Sequence, residues 1–447
     1  MKRSIILSSC LCAAICTADP DPGNPAAPAA TNNPSLAGGE TSAVTTVTVQ
    51  ELVAEALKSN PELNFYRAEI VSAKAGRKSA GLLANPELSG SVGYKTSRER
   101  SGGVSGEGVA WSVSVMQPLE WPGRMGLRKA IANRDVELAD LGLERFRTAL
   151  SSRVRALAYG LFAAQQKAAT AREVADRFRA LREVLLQRDP AGVAPLLETR
   201  VIEATEITLQ HRANEAELAT KSALLELNQL RGAAAAAALT VSEPVFEFGT
   251  TAGHDVLVAL AFTNNFELRV RAAELAQQGY RVALARNERF PSISVGPSYS
   301  EENALDRERI VGLGVSFPLP LWNRNGANIE AAAARRLQAE TSYAVAQREV
   351  ERKVVEAATT YASKVHEMAG WRPDAVRHFR EAAELADRHY RLGAVPVSTY
   401  VELQKQYFEA VESLLDTKKE ALEAAQRLEL LTGLTLRLTQ ETVKEEK

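Results

Sequence analysis

Cysteine is almost absent from this chain of 447 residues, and its three cysteines, Cys10, Cys12 and Cys16, all lie within the first 18 positions. The remaining sequence therefore cannot form a disulfide or a thiolate metal site. Aromatic residues make up only 6% of the composition, which argues against a large compact core. An excess of charge of one sign is also lacking, because the 54 basic residues are balanced by 55 acidic ones. This balance excludes a nucleic-acid-binding surface and a polybasic membrane anchor as general features.

Long apolar runs are missing except at the N-terminus. Lys2 and Arg3 precede an apolar run over residues 5–15, and the Asp19-Pro20 break follows. The pattern predicts a signal peptide at 1–18 that is cleaved after Ala18. Lipidation at Cys10 or Cys16 is the alternative, since residues 7–10 resemble a lipobox. No later run reaches about 18 apolar residues, which excludes a helical inner-membrane span and leaves strands as the means of crossing a membrane.

Two further segments contain few large apolar residues that could be buried in a core. Residues 19–46 are rich in Pro, Ala, Gly, Ser and Thr and are predicted to form a flexible N-terminal tether. Residues 435–447 form a polar C-terminal tail. Neither segment is expected to contribute to the folded core.

The sequence between these segments is duplicated, with a period of about 200 residues. Asn60-Pro61 recurs as Asn265-Phe266, and Gln117-Pro118-Leu119 recurs as Phe317-Pro318-Leu319. The two predicted repeats cover 47–240 and 241–434. Each contains, in order, a helix, two strands, a long helix, a tight turn and a second long helix.

Four segments alternate with period two, namely about 86–95, 108–118, 291–300 and 309–318. In the first, Leu88, Val92 and Tyr94 share one face, and Ser89 and Ser91 lie on the other. About 9–10 residues suffice for a tilted strand to cross a bilayer. Two ordinary soluble hairpins are the alternative, but a solvated face would carry Lys, Glu and Thr where these segments carry Ser and Gly. Because an open strand edge is unstable in lipid, four strands imply a barrel shared between chains.

The sequence predicts very long helices, and residues 124–188 contain no proline. The first repeat places them at 124–188 and about 195–231, and the second at about 327–391 and 396–431. A helix of about 60 residues spans about 90 Å, which suits a periplasm and exceeds a globular domain. A self-contained antiparallel coiled coil is the alternative, but it leaves the strands unexplained.

This arrangement resembles the TolC-like outer-membrane efflux family over about residues 47–434. The most specific motifs follow the strands, as Gln117-Pro-Leu-Glu-Trp-Pro-Gly-Arg124 and Phe317-Pro-Leu-Pro-Leu-Trp-Asn-Arg-Asn-Gly326. The second motif is similar to that of the cobalt-zinc-cadmium and copper efflux subgroup. The motif residues singled out are Pro118, Gly123, Arg124, Pro318, Pro320, Trp322, Arg324 and Gly326. Prolines cannot donate to a strand ladder and are expected to end the strands, and the glycines are expected to allow the sharp turn into each helix.

The resemblance implies a mainly α-helical protein with a small β part. Three chains would form a 12-stranded outer-membrane β-barrel continuous with a periplasmic α-helical barrel. The implied partners are a homotrimer, a periplasmic adaptor, an inner-membrane resistance-nodulation-division pump and outer-membrane lipid, without nucleic acid. The implied function is passive conduction of heavy-metal cations. A drug-efflux duct, a type I secretion duct and a non-channel periplasmic scaffold remain alternatives.

The resemblance also places functional residues at the turns between the long helices. The second turn, Arg391-Leu392-Gly393, matches the family's adaptor-docking tip, whereas the first, from Arg188 to Gly192, departs from it. Glu402 matches a position that faces the pore constriction. No catalytic residue, metal site or cofactor is expected, because the five histidines lack ligand spacing and the nucleophile and phosphate-loop motifs of enzymes are missing.

Overall fold

Each repeat begins with two helices that are separated at an asparagine. The first repeat contains β1 (Thr46–Val47), α1 (Val49–Ser59) and α2 (Glu62–Ser79), and the second contains β4 (Thr240–Val241), β5 (Phe246–Phe248), α5 (His254–Asn264) and α6 (Phe266–Asn287). Thr48 starts α1 with a capping box, since its side chain accepts from the Glu51 amide and Glu51 accepts from the Thr48 amide. The single initial helix expected in each repeat is therefore a helix pair.

The computed structural model describes residues 46–100, 102–188, 196–244, 246–304, 306–371, 374–433 and 439–441. The predicted signal peptide, Cys10, Cys16, Gly192 and almost all of the predicted tether lie outside these residues. Residues from Val44 onward form one compact unit.

Four long strands form one antiparallel sheet. They are β2 (Glu87–Arg98), β3 (Val104–Leu119), β6 (Ile293–Asn303) and β7 (Arg307–Ser316), in the order β2-β3-β6-β7. The two repeats therefore meet at the β3–β6 pairing, and β2 and β7 are the edges.

The connections within the two hairpins are shorter than expected. Polar residues near the turns belong to the strands, since Thr96 pairs with Glu107 and Glu301 pairs with Arg309. Charged cross-strand partners stabilise this end of the second hairpin, where Glu301 forms ion pairs with Arg307 and Arg309. Hydrophobic alternation alone could not reveal these ends, because the residues there are polar.

The long helices follow the sheet. In the first repeat, α3 (Arg124–Arg188) has 65 residues, about 98 Å of helix, and packs against α4 (Leu196–Leu230). In the second repeat, the prediction of a single helix over residues 327–391 is wrong. This stretch is divided into α7 (Gly326–Ala369) and α8 (Ala375–Arg391), and α9 (Val397–Thr432) returns along both. Gly370 ends α7, and the sequence places Pro373 just beyond, where a helix would lose a hydrogen bond.

Two short strand pairs connect segments that are far apart in the sequence. β1 pairs in parallel with β4, so a repeat boundary between residues 240 and 241 would cut through a strand. β5 pairs with β8 (Thr439–Glu441), which lies within the stretch predicted to be only a polar tail. These four strands have only two or three residues each, which is too short for a periodic pattern to indicate them.

Candidate functional site

The sheet presents two chemically different faces. On one face, Ser89 and Ser114 are hydrogen-bonded at 2.8 Å between their hydroxyl oxygens, and Ser91 and Ser112 at 2.9 Å. Ser298 continues the first row beside Ser114, opposite Gly312 on β7. The other face carries large apolar side chains that are 37–81% exposed, namely Leu88, Val92, Trp111, Val113, Val115, Val311, Leu313 and Val315. A wall between an apolar phase and a polar lumen requires this division.

Charged groups lie on the serine face near the hairpin turns. Lys95 of β2 reaches across β3 to Glu302 of β6, with 2.5 Å between Nζ and Oε2, and lies 3.6 Å from Glu308. Its direct partner on β3 is Gly108, which has no side chain to obstruct this path. The ion pair therefore connects the two repeats across the intervening strand.

The motif after β3 anchors the start of α3. Gly123 has a φ of 86°, a left-handed conformation that favours glycine. Arg124 then donates to the carbonyl oxygens of Asn287 and Phe290, at 3.3 and 2.5 Å, where α6 ends. Trp121 stacks on Phe290 with 4.8 Å between ring centroids. The first motif thus packs on the second repeat.

Pro118 does not end its strand, contrary to the expectation from sequence. β3 continues to Leu119, and Pro118 pairs with Ser294 of β6. The β2 pairing stops at Met116, so β3 has only one neighbour at this level. A proline is tolerated there because no strand on the β2 side requires its missing amide hydrogen.

The motif after β7 uses an asparagine where the first motif uses a glycine. Asn325 has a φ of 61°, and its side-chain amide donates to the Ala285 carbonyl at 2.8 Å. Gly326, which was expected to make the turn, is instead the first residue of α7. Pro318, Pro320 and Arg324 lie between β7 and α7, where Trp322 is 94% exposed. Asn325 is not among the residues singled out from the sequence. Its place before Gly326 at the start of a helix was a usable signal, because asparagine adopts the left-handed conformation more readily than most residues.

The second turn between long helices is ordered by its backbone. Gly393 has a φ of 74° and donates to Tyr390 O, and Ala394 donates to His389 O, each at 2.9 Å. These two bonds are the Schellman pattern that ends a helix at glycine. Leu392 is 80% exposed at the turn, and Arg391 is paired with Asp387 at 2.9 Å. At the first turn, Arg188 ends α3, and its side chain and Gly192 lie outside the described residues.

Aromatic side chains hold the second turn against the first repeat. Tyr400 is completely buried, stacks on Tyr390 at 5.3 Å and meets the edge of Phe178 on α3. Burial raises the pKa of the Tyr400 hydroxyl well above its usual range. Tyr400 is not among the residues singled out from the sequence, because one tyrosine on a long helix gives no periodic signal.

Two kinds of feature are missing from the described residues. No helix within the described ranges is long and apolar enough to cross a membrane. Among the same residues, no group of three or more His, Cys, Asp or Glu side chains could hold a metal ion.

The sequence of the chain matches the model of one protein family, which identifies this arrangement. The model of the family described as outer membrane efflux protein matches residues 52–233 and 257–434, one match for each repeat. The chain belongs to the outer membrane efflux protein family. Its two sheet faces and long helices are therefore those of an outer-membrane efflux channel with a periplasmic helical extension.

Individual proteins of similar sequence or structure are consistent with this family membership. The cobalt-zinc-cadmium resistance protein CzcC of Cupriavidus metallidurans is 23% identical over 299 residues, which cover 66% of this chain and 68% of CzcC. The solved structure of CusC matches with a TM-score of 0.68 at 16% identity, over 90% of this chain and 96% of that one. The Campylobacter jejuni CmeC outer membrane channel also gives 0.68, at 15% identity, over 93% and 94%. The chain has the fold of these channels.

Within this efflux protein, Glu402 lies two residues after Tyr400 on α9. Its side chain is exposed and accepts a hydrogen bond from Gln406 at 2.7 Å. It is oriented by a residue one turn further along its own helix. The described residues form no ion pair with Glu402, so its carboxylate has no cationic partner within the described part of the chain.

Proposed function

We propose that this chain is one protomer of a trimeric duct through which heavy-metal cations leave the cell passively. An inner-membrane resistance-nodulation-division pump would supply the energy, and a periplasmic adaptor would join the pump to the duct. The chain itself would carry out no covalent chemistry. The observation that supports this best is the pair of unpaired sheet edges, β2 and β7.

Both edges are long and exposed. β2 has 12 residues and β7 has 10, and neither has a second neighbour in the four-stranded sheet. An edge of this length in lipid leaves many backbone groups without hydrogen bonds, each costing about 1–3 kcal/mol or more. Helix α2, which precedes β2 in the sequence, and helix α7, which follows β7, also carry exposed apolar residues, Phe65 and Val71 on α2 and Leu337 and Val345 on α7. Pairing β7 of one chain with β2 of the next would close both edges.

The contact between chains can be inferred from the equivalent contact within the chain. In the β3–β6 pairing, Ser114 lies opposite Ser298. The internal repeat relates these two positions to Gly314 and Gly93, both on the serine face. A cysteine cross-linking experiment tests this contact. Gly93→Cys is combined in turn with Gly312→Cys, Gly314→Cys or Ser316→Cys, in a chain whose natural cysteines all lie in the first 18 residues.

One of these pairs should yield a disulfide-linked trimer under oxidising conditions, because facing residues on one side of a sheet approach closely enough to cross-link. Gly93→Cys with Leu313→Cys is the matched control, since the two side chains point to opposite faces. A monomer in the outer-membrane fraction, with no cross-link in any same-face pair, would contradict the trimer.

The cargo is inferred from the relatives. The name of CzcC refers to cobalt, zinc and cadmium, and the motif after β7 is similar to that of the metal subgroup. Deleting the gene should lower tolerance to these ions, and the wild-type gene should restore it. Unchanged metal tolerance with lowered drug tolerance would favour a drug-efflux duct. A soluble monomeric product would instead favour a periplasmic scaffold.

The turn residues complete the proposal. Leu392, exposed beside Arg391 and Gly393, would contact the adaptor, and the first turn, Arg188 to Gly192, would form the second docking tip. Glu402 would contribute one of three carboxylates to a ring at the narrow end of the pore. Three such charges around one axis would attract cations and repel anions. Leu392→Asp should abolish metal tolerance, and Leu392→Met should retain it.

A further inference from the structure

Four basic side chains line a groove between α2 and α3. Lys74, Arg77 and Lys78 come from the last turns of α2, and Lys129 comes from the second turn of α3. Gly81, Leu82 and Asn133 complete the lining of the groove, whose volume is about 810 Å³. The lining contains no carboxylate, and no described residue forms an ion pair with any of the four cations. Most basic residues of α3 differ in this respect, since Arg128, for example, is paired with Glu120 at 2.8 Å.

The position of Lys129 depends on a residue without a side chain. A Cβ at Gly81 would lie 2.3 Å from Lys129 Cε and 3.1 Å from its Nζ. The lysine therefore lies directly over the Gly81 backbone, which leaves room for its chain. Any larger residue at position 81 would move the ammonium group without removing a charge.

The groove lies just beyond the end of the sheet at which the strands join the helices. Lys129 follows the start of α3 at Arg124 by five residues, about 7.5 Å of helix. The connection from α2 to β2 exposes Leu82 and Leu83, at 66% and 61%. Leu119 and Trp121, at the end of β3, are 48% and 38% exposed. Apolar and aromatic side chains beside cationic ones are typical of the boundary between hydrocarbon and headgroups.

We propose that this groove binds the phosphate headgroup of an anionic phospholipid in the inner leaflet of the outer membrane. The four cations would hold the phosphate, and Leu82 and Leu83 would contact the start of the acyl chains. Lysine and arginine without internal partners are attracted to anionic lipid. This inference rests on the proposed position of the four-stranded sheet in the bilayer.

The test uses the full-length trimer in detergent, and phosphatidylglycerol as the probe. Binding is measured by native mass spectrometry during a lipid titration, with phosphatidylcholine as the neutral comparison. Lys78→Gln with Lys129→Gln removes two groove charges. Gly81→Ala keeps all four charges and displaces Lys129. Arg281→Gln with Arg289→Gln is the matched control, because it removes two exposed charges from or beside α6, away from the groove.

Wild type should bind up to three phosphatidylglycerol molecules per trimer, more tightly than phosphatidylcholine. The double lysine variant should lose about tenfold in affinity. Gly81→Ala should lose about threefold, and the control less than twofold. Equal binding by wild type and the double lysine variant would overturn the proposal. Inorganic phosphate that displaces the lipid at equal concentration would overturn the assignment to lipid, since acyl chains would then contribute nothing.

The proposed membrane position has a separate readout. Wild type and all three variants should float with outer-membrane vesicles and run as trimers, since none of these changes lies in the sheet. A wild-type chain that fails to float would overturn the position of the sheet and this site together. Normal flotation with equal lipid binding by the double lysine variant would overturn the site alone.

Discussion

The side-chain amide of Asn60 donates a 2.8 Å hydrogen bond to the carbonyl oxygen of Leu230, 170 positions further along the chain. Asn265 makes the equivalent bond to Leu431, at 2.6 Å. Each asparagine separates the two initial helices of its repeat and holds the end of the last long helix of that repeat. Both side chains are almost fully buried, which makes the bonds sensitive to substitution.

Asn60→Ala and Asn265→Ala should each lower the stability of the folded chain by about 1–3 kcal/mol, because a buried carbonyl at a helix end loses its donor. The effect is measured as a lower melting temperature of the purified trimer by circular dichroism. Asn64→Ala, on the exposed face of α2, is the control and should change stability by less than about 0.5 kcal/mol. Equal effects at positions 60 and 64 would contradict the role of the buried bond.

The glycines that follow the last helices should not tolerate a side chain. Gly433 has a φ of 67°, and a Cβ there would lie 2.2 Å from Asn264 O; at Gly232 the corresponding distance is 2.8 Å to Ser59 O. Gly433→Ala should therefore destabilise the chain more than Gly232→Ala, each by more than about 1 kcal/mol. Gly279→Ala, in open space within α6, should instead raise stability by about 0.5–1 kcal/mol. The three melting temperatures test this order.

Adjacent residues of β2 should respond oppositely to a lysine. Val92 lies on the apolar face and is 81% exposed, whereas Gly93 lies on the serine face with open space around it. Val92→Lys places a charge toward lipid and should cost about 2–4 kcal/mol near the middle of the bilayer. Gly93→Lys places the same charge toward the lumen. Quantifying assembled trimers in outer membranes should show a large loss for the first only; equal yields would contradict the assignment of the faces.

Alkaline pH should weaken the contact between Tyr361 on α7 and the β5–α5 connection. The Tyr361 hydroxyl donates to Gly249 O at 2.7 Å, and burial raises its pKa from 10.0 to about 12. The stability due to the protonated hydroxyl is complete below pH 10 and is lost as the pH rises toward 12, because the unfolded chain ionises first. The difference in melting temperature between wild type and Tyr361→Phe should therefore shrink between pH 10 and 12. A constant difference would contradict this explanation.

Glu402 can be tested by its effect on ion selectivity. If three Glu402 carboxylates surround the pore, Glu402→Gln should reduce the ratio of cation to anion permeability by about two- to threefold in planar bilayers. Glu423→Gln, an exposed position further along α9, is the matched control. A loss of selectivity of the same size in both variants would show that Glu402 has no special position.

Much of the fold follows from sequence periodicity, and the exceptions have physical causes. Leu88, Val92 and Tyr94 against Ser89 and Ser91 indicate a two-faced strand, because the strand period of two is unaffected by distant contacts. The ends of the hairpins were not predictable, since Glu301 and Arg309 pair across strands through charge and not through apolar alternation. The division at Gly370 was missed because the apolar pattern continues on both sides of it. β8 has only three residues and exists through its pairing with β5.

The candidate site was predictable where one residue determines the backbone. Gly123 and Gly393 both have positive φ, as expected of glycines that follow a strand or a helix. Gly326 was the wrong choice at the corresponding turn, because asparagine can adopt the same conformation and Asn325 does so. The basic groove could not be predicted, since it joins Lys74 and Lys129, which lie on different helices.

The β3–β6 pairing lies within a single polypeptide, and this affects how a duct would assemble. In a ring of three chains, six junctions would separate the hairpins, and three of them close while each chain folds, at a rate independent of concentration. Only the three β7–β2 junctions depend on an encounter between chains. Until that encounter, each protomer exposes two strand edges that could pair with any other extended segment. The yield of ducts would therefore depend on how many protomers reach the same area of membrane at the same time.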